Sequence, residues 1–251
     1  MSGNQPPVVA MTGGTKGIGQ AVAEYFLAHG YRVAVCSRSA GGPSLSPEIF
    51  RRKADVRQRD QVERFVAEVV KKFGRLDVFV NAAGISRWRP LSQIDEVFSG
   101  DILETTLMGT LWGCAAAAAH LQRGGVLLNL SSLAGKRGSA NNSVYCAAKF
   151  AVNGLTQALA KELGPRGIRV NAVCPVYVPT KQILQALAEK SSPAGGRKAQ
   201  AYLRKFAATQ TALGRLPTAE EVAQVVFFLA SPAASAITGQ CINVDCGTLP
   251  Q

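Results

Sequence analysis

Three side chains suited to moving a proton to or from an oxygen lie close together: Ser132, Tyr145 and Lys149. Tyr145 and Lys149 are four residues apart, so a helix puts them on one face, one turn from each other. A phenol titrates near ~10, too high to exchange protons readily at neutral pH. A lysine one turn away favours the phenolate and lowers that value. A serine hydroxyl folded back towards the same face can hold the reacting oxygen. Ser131 and Ser132 both offer one. The Ser-x-x-Gly setting with Gly135 and the thirteen-residue step to Tyr145 favour Ser132.

These residues need a strand and a helix to place them. The apolar run Val126-Leu-Leu-Asn-Leu130 reads as a buried strand, and a helical pattern runs from about Ser143 to Leu163. At the start of the chain, Val8 to Met11 forms a short strand. It leads into Thr12-Gly-Gly-Thr-Lys-Gly-Ile-Gly19, a helical pattern from Gln20 to Ala28, and a second strand from Tyr31 to Cys36. Glycines 13, 17 and 19 follow a G-x-x-x-G-x-G order, not the G-x-G-x-x-G fingerprint. Glycine suits such a turn because the backbone must approach a pyrophosphate closely and offer N–H groups at a helix N-terminus.

The rest of the chain continues the alternation. Residues 39–47 are rich in Ser, Gly and Pro and read as a loop, and Phe50 to Val56 reads as a third strand. Helical spacing covers 60–73, a strand covers Leu76 to Val80, and a long alanine-rich helix covers Phe98 to Leu121. Arg169 to Cys174 is a strand stopped by Pro175, Ala219 to Leu229 a final helix, and Gln240 to Val244 a seventh strand. About 180–215 the chain is polar and irregular between helical patterns, as a mobile substrate lid would be. The pattern predicts a three-layer, doubly wound α/β fold of the Rossmann type, with seven mostly parallel strands and helices on both faces. No linker divides residues 1–251, which read as a single domain.

Composition excludes several classes. Of the 251 residues, 47% are hydrophobic and 18% charged, as in soluble globular proteins. Met1 to Pro7 lacks a signal-peptide pattern, and the run Cys114–Ala119 is far too short to span a bilayer. A cytoplasmic protein without membrane partners is expected. Six cysteines without a CxxC pair read as small buried residues of a reducing compartment. Two histidines make a metal site improbable, so no metal is expected. Lys plus Arg exceed Asp plus Glu by 28 − 16 = 12. The charges are spread without a nucleic-acid motif, so no nucleic acid is expected, although local clusters suit an anionic cofactor or substrate.

With these pieces in place the chain resembles the short-chain dehydrogenase/reductase family in its compact form, over nearly everything from Val8 to Gly247. The marks are Thr12-Gly-Gly-Thr-Lys-Gly-Ile-Gly19, Asp55-Val56, Asn81-Ala-Ala-Gly84, Ser132, Tyr145-Cys-Ala-Ala-Lys149, Asn171-Ala-Val-Cys-Pro175 and Thr238-Gly-Gln-Cys-Ile-Asn-Val-Asp245. The resemblance implies a nicotinamide cofactor and hydride exchange between an alcohol and a ketone or aldehyde. It implies catalysis by Ser132, Tyr145 and Lys149, with Tyr145 as general acid or base and Lys149 also on the nicotinamide ribose. Cofactor contacts implied by it are Gly13, Thr15, Lys16, Gly17, Ile18, Gly19, Ser37, Arg38, Asp55, Val56, Asn81, Ala83, Gly84, Tyr145, Lys149, Pro175, Val178 and Thr180. Pairing into dimers or tetramers through the alanine-rich faces of the two long helices is likewise implied.

Three departures stand out. Thr106 occupies the place where the family commonly has an asparagine supporting the lysine. Val176 replaces the glycine of Pro-Gly, and Cys246 stands where a second glycine is common. Thr106 and Val176 leave a competing reading, an NADP(H)-binding sensor or scaffold with weakened turnover. A dehydrogenase working oxidatively with the same residues is the alternative among enzymes.

Charge selects the cofactor. A carboxylate at the end of the second strand would bond the ribose hydroxyls of NAD. The sequence there is Ala34-Val-Cys-Ser-Arg38, and Lys16 lies on the same side. A guanidinium suits a 2′-phosphate, which predicts NADP(H) over NAD(H). Arg87, Arg89, Lys136, Arg137, Lys181, Arg197 and Lys198 form an expected basic rim that suits an anionic substrate.

Overall fold

The computed structural model describes residues 5–39 and 45–250. The first four residues and most of the loop read over 39–47 lie outside the described residues. Seven strands form one sheet in the order β3-β2-β1-β4-β5-β6-β7. They are β1 Val8–Thr12, β2 Arg32–Ser37, β3 Phe50–Lys53, β4 Val78–Asn81, β5 Val126–Leu130, β6 Arg169–Pro175 and β7 Cys241–Val244. Every pairing is parallel. The third strand ends at Lys53, so Asp55 sits in the turn beyond it and not within a strand.

Parallel strands with both faces covered bury nearly every side chain, and successive residues go to opposite faces. Val9, Met11, Val33, Val35, Val78, Val80 and Leu128 pack on one side against helices α1 Gly17–Ala28 and α8 Ala219–Ala230, through Val22, Phe26, Val226 and Leu229. Val8, Ala10, Ala34, Phe79 and Leu127 pack on the other side. There they meet α2 Arg59–Phe73, α4 Gly109–Ala118 and α5 Ser143–Leu163, through Phe65, Val69, Cys114, Ala117 and Ala160. The period-two alternation of these strands therefore builds two cores at once.

The expected long helix is two helices. The first, α3 Glu96–Leu103, starts on Asp95, whose Oδ1 accepts from Phe98 N at 2.7 Å. A π-turn at Glu104–Met108 joins it to α4 and contains Thr106. Residues 180–215 hold α6 Lys181–Leu187 and α7 Ala199–Gln210, with a small core of their own around Leu187, Ala194, Leu203 and Trp88. The last helix, α8, begins in a capping box: Glu221 N donates to Thr218 Oγ1 at 3.1 Å and Thr218 N to Glu221 Oε2 at 2.8 Å.

The strand order reverses between β1 and β4, and ligands of open parallel sheets bind outside the carboxyl ends of the strands at such a point. A cleft of about 1080 Å³ lies there. No described helix is long and apolar enough to cross a membrane.

Candidate active site

Helix α5 runs beside β5, and the loop between them folds back onto the helix. Ser132 opens that loop, and its Oγ accepts from Ala134 N at 3.1 Å and donates to Pro175 O at 3.5 Å. Gly135 explains the Ser-x-x-Gly spacing, because a Cβ there would lie 2.6 Å from the Lys149 carbonyl oxygen. Asn153, one turn beyond Lys149, donates to the Gly135 carbonyl at 2.9 Å. The loop is thus clamped to the helix at the level of Lys149. Ser132, Tyr145 and Lys149 all line the cleft.

Burial sets the electrostatics. Desolvation pushes the Tyr145 phenol up to about 12, opposed by its hydrogen bond with Ser132. The Lys149 ammonium is 4% exposed and is drawn down to about 8 by the same loss of solvent. Lys149 Nζ donates to the Leu130 carbonyl and lies 5.7 Å from the centroid of the Tyr145 ring. The expectation that the lysine lowers the tyrosine is therefore corrected: desolvation dominates, and the group that opposes it is Ser132 rather than Lys149.

Thr106 is fully buried, and its Oγ1 accepts from Ile85 N at 3.2 Å. A Cβ on Gly84 would lie 3.6 Å from Lys149 Nζ and 3.8 Å from Thr106 Oγ1, so both groups flank one point of the backbone. Cys246 adopts a left-handed φ of 52°, which accounts for a glycine being common there. Val176 lines the cleft beside Tyr177.

The other end of the cleft is the glycine turn. Gly13 has φ 70°, donates its N–H to Cys36 O at 2.8 Å, and has no room for a Cβ against Ala83 N, 2.6 Å away. A side chain on Gly19 would collide with the Gly13 carbonyl. The N-cap of α1 is Lys16, whose side chain makes no capping bond, so the first-turn N–H groups stay available to an anion. This cradle fits a dinucleotide pyrophosphate.

Of the expected cofactor residues, Gly13, Thr15, Lys16, Gly17, Ile18, Gly19, Ser37, Arg38, Asp55, Val56, Ala83, Gly84, Pro175, Val178 and Thr180 line the cleft with Tyr145 and Lys149. Asn81 does not. Its Nδ2 donates to Asn129 Oδ1 at 3.0 Å inside the sheet, and its Oδ1 faces Gly113 on α4. Its amide sits in the core because β4 alternates and position 81 points to that side. Ser37 Oγ accepts from Thr15 Oγ1 at 3.1 Å and donates to the Ser39 carbonyl, so its proton is already committed. Asp55 is held by Arg57, with Nη2 to Oδ2 at 2.7 Å, which keeps its carboxyl below the ordinary value. Lys16 and Arg38 are exposed and make no ion pair among the described residues.

Most of the expected basic rim turns away. Arg87 pairs with Glu189 at 3.5 Å, Arg89 with Asp95 at 2.8 Å, and Arg197 donates to the Ala194 and Pro193 carbonyls. Lys136, Lys181 and Lys198 do not line the cleft, whereas Arg137 does. The sequence reading passed over Tyr177, Tyr202 and Phe206, which also line it. The available signal was the aromatic pair at i, i+4 in the lid.

An open parallel sheet with a dinucleotide cradle at its switch point and a Ser–Tyr–Lys set beside it defines a nicotinamide-dependent oxidoreductase. A family model described as enoyl-(acyl carrier protein) reductase matches residues 13–248. The chain is 36% identical to the short-chain reductase protein NovJ of Streptomyces niveus, over 97% of this chain and 94% of that one. It is also 36% identical to an (S)-acetoin-forming diacetyl reductase of Staphylococcus aureus, over 96% of each. Among solved structures, an actinorhodin polyketide ketoreductase variant with NADPH superimposes with a TM-score of 0.85 at 31% identity, over 99% of both chains. The chain belongs to the short-chain dehydrogenase/reductase family and is an NAD(P)-dependent enzyme acting on CH–OH and C=O groups.

The burial of Lys149 makes a stability prediction. Its folded value, about 8, lies below the ordinary 10.5, so the unfolded chain holds the extra proton between these values and wild-type stability rises with pH across that window. Lys149→Met therefore melts a few degrees higher than wild type near pH 7, and the gap narrows from pH 8 upward. Melting curves across that range check it. A lower melting temperature for Lys149→Met at pH 7 would refute it.

Proposed function

We propose that this chain is an NADPH-dependent carbonyl reductase with Tyr145 as general acid. The observation that carries the reading is the meeting of Ser132, Tyr145 and Lys149 at one end of the cleft whose other end is the glycine cradle. NADPH held by the glycine cradle, Lys16 and Arg38 would supply the hydride that reduces the carbonyl carbon. Ser132 releases Pro175 and donates to the substrate oxygen. Tyr145, protonated at neutral pH, gives its proton to that oxygen as negative charge develops on it. An alkoxide is more basic than a phenolate, so this transfer runs downhill. Lys149 stays largely charged at pH 7, and its charge steadies the phenolate left behind. Thr106 holds Ile85 N and so fixes the segment after Gly84 against the lysine. The oxidative reaction uses the same groups in reverse. Residues 1–251 act as one catalytic domain, with 180–215 as its lid.

Following NADPH absorbance with a small diketone tests this reading. Wild type turns over, and Tyr145→Phe loses about 10²- to 10⁴-fold in kcat, the usual contribution of a positioned acid. A Tyr145→Phe variant that keeps full activity would overturn the role.

Preference for NADPH rests on Lys16 and Arg38, cations without a carboxylate partner at the end of β2. Both can meet a 2′-phosphate while Ser37 keeps its bond to Ser39. Arg38→Asp is expected to raise the KM for NADPH by about tenfold, as loss of one charged hydrogen bond does, and to leave NADH less affected. Equal efficiency of wild type with NADH would remove the preference.

Self-association is also proposed. Helix α3 packs on α5 through Phe98, Ile102 and Ala148, while Val97, Leu103 and Phe150 on the same two helices stay 77%, 36% and 48% exposed. An apolar surface of this kind suits a second copy. A dimer or tetramer is expected in light scattering, and a strict monomer would contradict it.

A further inference from the structure

The cleft extends past Ser132 and Tyr145 into a recess with aromatic walls. Tyr177 stands at the end of β6, and Tyr202 and Phe206 lie one turn apart on α7. The Tyr177 ring meets Tyr202 at 5.9 Å and Phe206 at 5.0 Å between centroids, at 80° and 81°. All three rings line the recess and remain half-buried, so ring surface is left for a bound molecule. Trp88 closes the group at 3% exposure, its carbonyl accepting from Ser191 Oγ at 2.6 Å.

Two cations lie near these rings: Arg197 stands 5.7 Å from the Tyr202 centroid but does not line the recess and is held by the Ala194 and Pro193 carbonyls, whereas Arg137 lines it. Arg137, on the loop between β5 and α5, lines the recess and is half-buried. It makes no side-chain hydrogen bond or ion pair among the described residues, and its charge reaches Tyr177, where it favours the phenolate against desolvation. By contrast Arg57, Arg59, Arg75, Arg87, Arg89 and Arg215 each face a carboxylate. A half-buried guanidinium without a counter-ion is costly unless something brings one.

We infer that this recess is a substrate subsite for an aromatic ketone bearing a carboxylate. The ring packs on Tyr177, Tyr202 and Phe206, and the carboxylate takes two hydrogen bonds from Arg137. Aromatic rings in edge or offset contact gain beyond the area they bury, which favours an aromatic over an aliphatic skeleton. A single guanidinium balances a monoanion, whereas a phosphate dianion would carry surplus charge into a half-buried place. The inference rests on the carbonyl-reductase reading and specifies its substrate class.

The test compares kcat/KM for an aryl ketone carboxylate, its neutral methyl ester and its cyclohexyl counterpart, beside a small diketone. Wild type is expected to favour the carboxylate over the ester by about ten- to a hundredfold, the range one charged hydrogen bond gives. It should also favour the aryl over the cyclohexyl compound. Arg137→Gln should collapse the first ratio, mainly through KM, with Arg137→Lys keeping part of it. Phe206→Leu should shrink the second ratio, and Arg87→Gln should leave the first unchanged. A wild type that prefers the ester, or an unchanged charge ratio in Arg137→Gln, overturns the anion site. Equal use of the aryl and cyclohexyl ketones overturns the aromatic one. Reduction of the diketone without any of the three ring ketones defeats the subsite and leaves the carbonyl-reductase reading standing. Absence of any NADPH oxidation defeats that reading and the subsite with it.

Discussion

The placement of the reacting groups depends on how α5 is tied to β5. Inside the sheet, Asn81 Nδ2 donates to Asn129 Oδ1, and Asn129 Nδ2 donates to Thr156 Oγ1 at 2.9 Å. Thr156 Oγ1 in turn donates a hydrogen bond to the Val152 carbonyl, one turn back along α5. All three side chains are buried, so each unmade bond in this chain would carry a full desolvation cost. The polar line crosses β4, β5 and α5 and allows the helix one rotational setting. In that setting Lys149 faces Leu130 and Tyr145 faces Ser132. The clamp at Gly135 and Asn153 then fixes the loop to the same helix, so serine, tyrosine and lysine share one frame.

That frame holds its titrating pair in an unexpected balance. A lysine four residues from a tyrosine suggests a lowered phenol, and sequence spacing carries no information about solvent. In the folded chain both side chains lose water, which moves each towards its neutral form. A neutral phenol is the form a general acid needs, and a lysine near 8 is still charged at neutral pH. In the proposed reduction, desolvation and the need for a proton donor therefore act in the same direction.

Much of this was legible because backbone demands select residue types. The strands read clearly where both faces are buried, since β1 and β5 have no polar alternation to confuse them. The glycine turn was legible because Gly13 and Gly19 sit where a side chain would meet backbone. Asn81 misled because a motif says which residues recur and not which way one points. Its amide belongs to the polar line in the core, not to the cleft. The π-turn at 104–108 left no periodic signal, since the alanine-rich α4 that follows has too little polar contrast for a change of phase to show. The basic rim failed for a related reason: surface arginines find local carboxylates, as Arg89 finds Asp95, and a count of charges cannot show which of them do.

Residues 180–215 border both ends of the cleft. Helix α6 is capped by Thr180, whose Oγ1 accepts from Ile183 N at 3.3 Å, and its first turn brings Gln182 over the glycine cradle. A Cβ on Gly17 would lie 2.9 Å from Gln182 Oε1. Helix α7 carries Tyr202 and Phe206 to the opposite end. The two helices share a core with Trp88 that is separate from both sheet cores. A segment built this way can change its rings without disturbing the sheet or the Asn81–Asn129–Thr156 line. Leu187 on α6 and Leu203 on α7 belong to that one core, so the residue over the cradle and the rings of the recess are carried by a single packed unit.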